Sequence, residues 1–281
     1  MHTQDKINIR TMTRSDIDIA IEWAAREGWN PGLSDADCFY NADPKGFFIA
    51  EFEGEPVGTI SAVSYTGIFG FIGLFIIKPD YRSTWTAFHL TRAATRHLKG
   101  CNIGLDGVLE RIDSYAKLGY KFAYKNARYG GKGQKYNYTG VSNLSDVPFE
   151  DLVEYDAGMF SVPRPQFLKK WINQPDGTAL GTLVNGKLAG YGVIRPCREG
   201  FKIGPLFAET PELADNLFKA LSGAADGENI YLDTPCINRG AVNLALNYGM
   251  KIVFETARMY SGETDFLPIN KIFGITTFEL G

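Results

Sequence analysis

One order of secondary-structure signals occurs twice in this chain, and a repeat of that length dictates the fold more than any single motif does. Ile7–Met12 alternates apolar and polar residues as a strand does. It leads through Thr13-Arg14-Ser15-Asp16, a helix start signal, into an apolar-periodic stretch through Trp23. Tyr138–Val141 leads in the same way through Asn143-Leu144-Ser145-Asp146 into a second helical stretch, and Ser15-Asp16 and Ser145-Asp146 stand 130 residues apart. Phe47–Phe52 turns at Glu53-Gly54-Glu55-Pro56 into Val57–Ile60, and Ala179–Val184 turns at Asn185-Gly186-Lys187 into Leu188–Tyr191. Asn-Gly is a strong signal for a tight hairpin turn. Ile72-Gly73-Leu74-Phe75 answers Ile203-Gly204-Pro205-Leu206-Phe207, and Ile103-Gly104-Leu105-Asp106 answers Ile230-Tyr231-Leu232-Asp233. Each half closes alike: Leu118-Gly119-Tyr120-Lys121 with Ala127-Arg128-Tyr129, and Tyr248-Gly249-Met250-Lys251 with Ala257-Arg258-Met259. Residue identities recur in one order at offsets that stay near 130 residues, which general strand–turn–helix grammar does not produce.

The repeat divides the 281 residues into two modules, 1–135 and 136–281, with the boundary in the polar, glycine-rich stretch 130–137. Each half reads β-α-(α)-β-β-β-α-β-α-β, an α/β (α+β) fold with a mixed, mostly antiparallel sheet flanked by helices. The tail Phe266–Leu280 is apolar and strand-like, and is expected to tie down against a sheet. A net charge of −3 without a long run of one sign argues against a nucleic-acid partner. No stretch approaches the ~18–20 apolar residues that span a bilayer, and the N-terminus has no apolar signal core, so a cytoplasmic protein without a membrane partner is expected. Cys38, Cys101, Cys197 and Cys236 are scattered and read as reduced thiols, and no Cys/His ligand pattern calls for a metal.

This order of elements resembles the GNAT (Gcn5-related N-acetyltransferase) superfamily, as two modules in tandem. The resemblance rests on Leu74–Arg82 (LFIIKPDYR), on Ser114–Tyr120 (SYAKLGY), and on Trp29-Asn30-Pro31-Gly32 followed by Phe47-Phe48-Ile49-Ala50-Glu51. It implies acetyl-CoA as cosubstrate, with no metal. The pyrophosphate falls to Arg82-Ser83-Thr84-Trp85-Thr86-Ala87, where Trp85 stands at a position that the family gives to glycine. Such a loop works by aiming backbone N–H groups and a helix N-terminus at phosphate. A tryptophan can serve there if its side chain turns away into the core. By itself the segment also reads as a capped helix start. By resemblance the pantetheine arm falls to the backbone of Phe75, Ile76 and Ile77, which otherwise read as core strand. Tyr115 falls at the position of the acid that protonates the departing thiolate. A phenol with pKa near 10 suits that role, and the alternative is a half-buried tyrosine bonded to backbone. Val108 stands where family members carry Asn.

The implied chemistry is direct attack of a neutral amine on the thioester, with backbone N–H groups at the oxyanion. For the base, Glu22, Asp37, Asp106 and Glu110 are candidates. Asp106 ends an apolar strand, where burial can raise a carboxylate pKa, although such groups commonly cap or pair instead. Trp23, Trp29 and Asn30 are candidates to line the amine pocket, or pack beneath a loop. In the second half Thr210-Pro211 reads as an ordinary helix cap and Ala245 replaces the tyrosine. Glu209, Glu212 and Asp215 put negative charge where pyrophosphate would sit. That module is expected to be degenerate, walling the substrate cleft with Asp233 and Arg195. The expected activity is N-acetylation of a small-molecule primary amine. A non-catalytic acyl-CoA sensor, a protein acetyltransferase and a ligand-free scaffold are the alternatives. The oligomeric state is left open.

Overall fold

The computed structural model describes residues 7–82 and 84–281. The elements follow the duplicated order. The first half holds β1 (Ile7–Thr11), α1 (Arg14–Arg26), α2 (Asp35–Ala42), β2 (Phe47–Phe52), β3 (Glu55–Tyr65) and β4 (Phe69–Ile77). It continues with α3 (Thr86–His97), β5 (Asn102–Gly107), α4 (Ile112–Lys117) and β6 (Lys121–Lys132). The second half holds β7 (Ser142–Asn143), α5 (Phe149–Phe160), α6 (Pro165–Trp171), β8 (Thr178–Val184), β9 (Lys187–Pro196) and β10 (Phe201–Ala208). It ends with α7 (Pro211–Gly223), β11 (Asn229–Pro235), α8 (Arg239–Asn247), β12 (Lys251–Tyr260) and the added β13 (Ile272–Gly274).

Local chemistry explains the boundaries. Thr13 and Asp16 form a reciprocal capping box at the start of α1. Both hairpin turns place two successive residues at positive φ, Glu53 and Gly54 in one and Asn185 and Gly186 in the other, which matches the twist of the flanking strands. One expected strand is nearly absent. Tyr138–Val141 is not a strand, and pairing begins only at Ser142-Asn143. Gly140 turns the chain there with φ 69°, and its carbonyl accepts from the Thr182 hydroxyl rather than from a neighbouring strand.

All thirteen strands belong to one sheet, with the order β1-β2-β3-β4-β5-β12-β6-β11-β10-β9-β8-β7 and β13 joined to β10. Only β4–β5 and β10–β11 pair in parallel between named strands. The order is palindromic about its centre, and the last strand of each half has crossed over. β12 pairs with β5, and β6 pairs with β11. The recurring Arg and Asp residues of the two halves therefore meet crosswise, with Arg128 opposite Asp233 and Arg258 opposite Asp106. α3 covers one face of the first half through Leu90, Ala94 and Leu98, and α7 and α8 cover the second through Leu217, Leu221 and Leu244. A shared core between the halves joins Ile17 and Phe39 to Phe167, Trp171 and the tail residues Ile275 and Leu280.

Candidate functional site

The site starts where β4 leaves β5. Phe69–Ile72 pairs with Asn102–Leu105, and beyond Ile72 β4 keeps only β3 as its partner. Ser61 faces Gly73 and Thr59 faces Ile76, so Leu74 and Phe75 together oppose Ile60 as a bulge. Leu74 has φ 44°, and the Thr59 hydroxyl donates to its carbonyl at 2.8 Å, which fixes the kink. Among the described residues, the edge of β4 facing away from β3 is thus free of strand partners through Phe75, Ile76 and Ile77. Ile76 is buried, and Phe75 and Ile77 are half-buried.

That edge runs into the phosphate-loop candidate. Arg82 is exposed, and its Nε donates to the Ile77 carbonyl at 3.0 Å while its Nη2 meets Glu27 at 3.2 Å. Ser83 lies outside the described residues. The Thr84 hydroxyl donates to the Tyr81 carbonyl at 2.7 Å, and the Thr86 N–H reaches the same hydroxyl at 3.3 Å. The Trp85, Ala87 and Phe88 N–H groups make no hydrogen bond among the described residues. Among the described residues no side chain caps α3 at Trp85, which leaves the Trp85, Ala87 and Phe88 donors and the positive end of the dipole to an anion. The Trp85 indole does not turn into the core as required above. It is 49% exposed and packs edge-to-face on Phe88, itself 51% exposed, at 5.4 Å. These residues fit a CoA ester: an uncapped helix start for pyrophosphate, and a free strand edge for the amides of the pantetheine arm.

Tyr115, on α4, is half-buried against Gly107 at the end of β5, where an added Cβ would meet its ring at 2.4 Å. It belongs to the small apolar cluster around Leu105 that includes Ile72, the last residue of β4 paired with β5. Its hydroxyl has no partner among the described residues, and burial raises its pKa above the ordinary tyrosine value.

The remaining candidates divide. Trp23 is buried, with the Lys78 ammonium 5.4 Å over its ring, which brings α1 beside the end of β4. Glu22 is half-buried and pairs with Arg26 and Arg198. The Asn30 amide is used within the fold: it bonds the Glu199 carbonyl and amide at 2.9 and 2.8 Å, clamping its loop to the β9–β10 turn. Asp37, in α2, pairs with Arg14. The Asp106 side chain is fully buried, and the Arg258 guanidinium grips both of its oxygens at 2.9 and 2.6 Å while the Asn126 amide adds 2.8 Å. Asp233 is held in the same way by Arg128 at 2.7 and 2.8 Å. Neither carboxylate is presented to a substrate. Arg195 likewise pairs with Asp35, both fully buried.

Two groups that the sequence reading passed over lie at the centre. Lys202 of β10 is buried and donates to the Trp29 carbonyl at 3.1 Å, as Arg128 does at 2.8 Å. Burial and the nearby Arg128 lower its pKa to about 8. The unfolded lysine titrates near 10.4, so between these values this group binds more protons in the unfolded chain and its own contribution to stability rises with pH. The gain is on the order of 3 kcal/mol from pH 8 to 10.5. Urea unfolding of wild type and Lys202→Met at both pH values is expected to show the wild type gaining that amount relative to the variant. The second group is Glu279, in the tail.

The equivalent opening of the second half is filled. β10 parts from β11 after Ile203, and β13 enters there, pairing with Leu206 and Phe207 while the Ile275 N–H donates to the Asp233 carbonyl. α7 is capped by Thr210, whose hydroxyl accepts from the Leu213 N–H, with Pro211 in its first turn. Glu209 pairs with Lys271 and Asp215 with Lys219.

Comparison with known proteins agrees with this arrangement. The family described as Acetyltransferase (GNAT) family matches residues 16–120, and a second, described as Acetyltransferase (GNAT) domain, matches 152–274. Holothin acyltransferase of Pseudoalteromonas sp. (strain SANK 73390) is 31% identical over 94% of this chain and 90% of its own. A candidate acetyltransferase structure from Pyrococcus horikoshii superposes with TM-score 0.84 at 20% identity, over 98% of this chain and 96% of its own. The GCN5-related N-acetyltransferase of Sphaerobacter thermophilus gives 0.63 at 11%, over 97% of each chain. The free edge of β4, the uncapped start of α3 and the full-length relative converge: the chain belongs to the GNAT acyltransferases, with two GNAT modules in tandem.

Proposed function

We propose that the first module binds acetyl-CoA and transfers its acetyl group directly to the primary amine of a small molecule. The observation that carries this is the path from the free edge at Phe75–Ile77 to the start of α3, where the Trp85, Ala87 and Phe88 N–H groups have no partner among the described residues. Along it Arg82, Thr84, Trp85, Thr86 and Ala87 hold the pyrophosphate, and the β4 backbone holds the pantetheine amides. Tyr115 protonates the thiolate, and its half-buried phenol, without a partner among the described residues, supports that role. Trp23 and Trp29 line the acceptor side. Asp106 and Asp233 position Arg258 and Arg128, and do not take the amine's proton.

The second module, from residue 136 onward, serves as the wall of the acceptor site. Its slot for a CoA arm is occupied by β13, its helix start is already capped, and Ala245 stands at the tyrosine position, so it binds no acyl-CoA. The likeness to holothin acyltransferase supports a small-molecule amine as acceptor, and holothin heads the list to assay.

The test is thiol release from acetyl-CoA and from longer acyl-CoAs with holothin, polyamines, amino sugars, amino acids and lysine peptides. Turnover of a small amine with acetyl-CoA is the expected result. Turnover confined to peptides would replace the acceptor class. Binding of acetyl-CoA with no turnover on any amine would replace the enzyme by a sensor.

A further inference from the structure

We propose that Glu279, delivered by the C-terminal tail of the second module to the acyl site of the first, is the base that accepts the proton of the incoming ammonium. The inference rests on the function proposed above and supplies the group that it lacks. After β13 the tail passes Gly204, where an added Cβ would meet the Thr276 carbonyl oxygen at 2.6 Å, and then Gly73, where it would meet the Glu279 carbonyl oxygen at 2.1 Å. Gly73 is the residue at which β4 enters its bulge and leaves β5. Only glycine admits the tail so closely. The Tyr65 hydroxyl holds the next residue by the Leu280 carbonyl at 3.0 Å.

Glu279 is 4% exposed, and its carboxylate accepts no hydrogen bond among the described residues while its oxygens keep a contact with solvent; its N–H is bonded by Thr277. Buried carboxylates are ordinarily paired, because an unpaired one loses its hydration without return. The other buried carboxylates of this junction follow that rule through Arg128, Arg195 and Arg258. The charged groups facing Glu279 are Lys202 on β10, Arg128 on β6, Arg195 on β9, Asp35 on α2 and Asp233 on β11. Both arginines already hold an aspartate, Lys202 donates to the Trp29 carbonyl, and none of the three donates to Glu279 among the described residues. A primary ammonium, with three donors and one charge, is what this carboxylate lacks. Burial, working against Lys202 and Arg128, raises its pKa toward the range of a useful base.

The step balances as follows. The carboxylate takes one proton from R–NH3+, and the freed nitrogen lone pair attacks the thioester carbonyl carbon. Collapse breaks the C–S bond, and the thiolate takes the Tyr115 proton. The nitrogen gives up its second proton to restore Tyr115, and Glu279 releases its own to water, so amide, thiol and one proton result.

The experiment compares wild type with Glu279→Gln, using acetyl-CoA and whichever amine of the panel turns over. The variant should lose about 100-fold or more in kcat and the acid limb of the kcat–pH profile, with acetyl-CoA affinity by calorimetry within twofold. Retention of a third of the wild-type kcat, or of that limb, overturns the assignment. If circular dichroism shows the Gln variant unfolded, Glu279→Asp decides. It keeps the charge but sets it back by one methylene, so kcat should fall at least about tenfold with the limb retained, and wild-type kcat would refute the role. A wild type that binds acetyl-CoA but turns over no amine defeats the enzyme reading itself, and this assignment with it.

Discussion

Asp106→Ala is expected to cost about 3–5 kcal/mol of unfolding free energy, the usual loss when one partner of a buried ion pair is removed. The Arg258 side chain is 3% exposed and Asp106 is 0% exposed, so water cannot replace the carboxylate. What remains for the guanidinium is the Tyr260 hydroxyl at 3.3 Å and the face of Phe71. The Asn126 amide would lose its partner as well. Because β12 reaches β5 only through the strand exchange, the loss falls on the seam between the two halves. Pairing Asp106→Ala with Arg258→Met should restore most of the stability, since replacing a whole buried pair by apolar groups is often neutral. Urea titration of the single and double variants measures both. A single-variant loss below about 1 kcal/mol would mean that the pair is not what closes the seam.

Tyr115→Phe is expected to lower kcat by about 10²–10⁴-fold, the usual worth of a general acid, with acetyl-CoA affinity unchanged. The substitution removes one oxygen and leaves the ring packed on Gly107, so a stability change does not account for such a loss. The direction of the shift adds a second check. Burial raises the Tyr115 pKa, so the phenol keeps its proton beyond the ordinary value near 10. The wild-type rate should therefore show no alkaline limb from this acid below pH 10. Steady-state thiol release across pH 6–10 gives both readouts, and a kcat within threefold of wild type would return Tyr115 to a packing role.

The fold was legible because the repeat preserves the residues that punctuate elements: the caps at Thr13 and Asn143, the turns at Gly54 and Gly186, and the glycines at 119 and 249 that end α4 and α8. The strand exchange was not. Ala127-Arg128-Tyr129 and Ala257-Arg258-Met259 carry one pattern, so either strand satisfies either neighbour and no local signal tells them apart. The same exchange turned Asp106 and Asp233 from site candidates into counter-ions, because their arginines arrive from the other half. Trp85 was legible as a departure from glycine but not in direction: its indole finds Phe88 one helical turn on, a contact that only the formed helix creates. Glu279 did carry a signal. It is the one acid in the apolar run IFGITTFEL, and a charge inside a segment expected to be buried asks for a partner.

The central claim is that the first module alone holds acyl-CoA, and calorimetric titration with acetyl-CoA tests it most directly. Wild type should bind one equivalent, Arg82→Glu should lose that binding, and Thr210→Ala, at the capped helix of the second module, should keep it. No heat from the wild type, or binding that survives Arg82→Glu and fails in Thr210→Ala, would contradict the account.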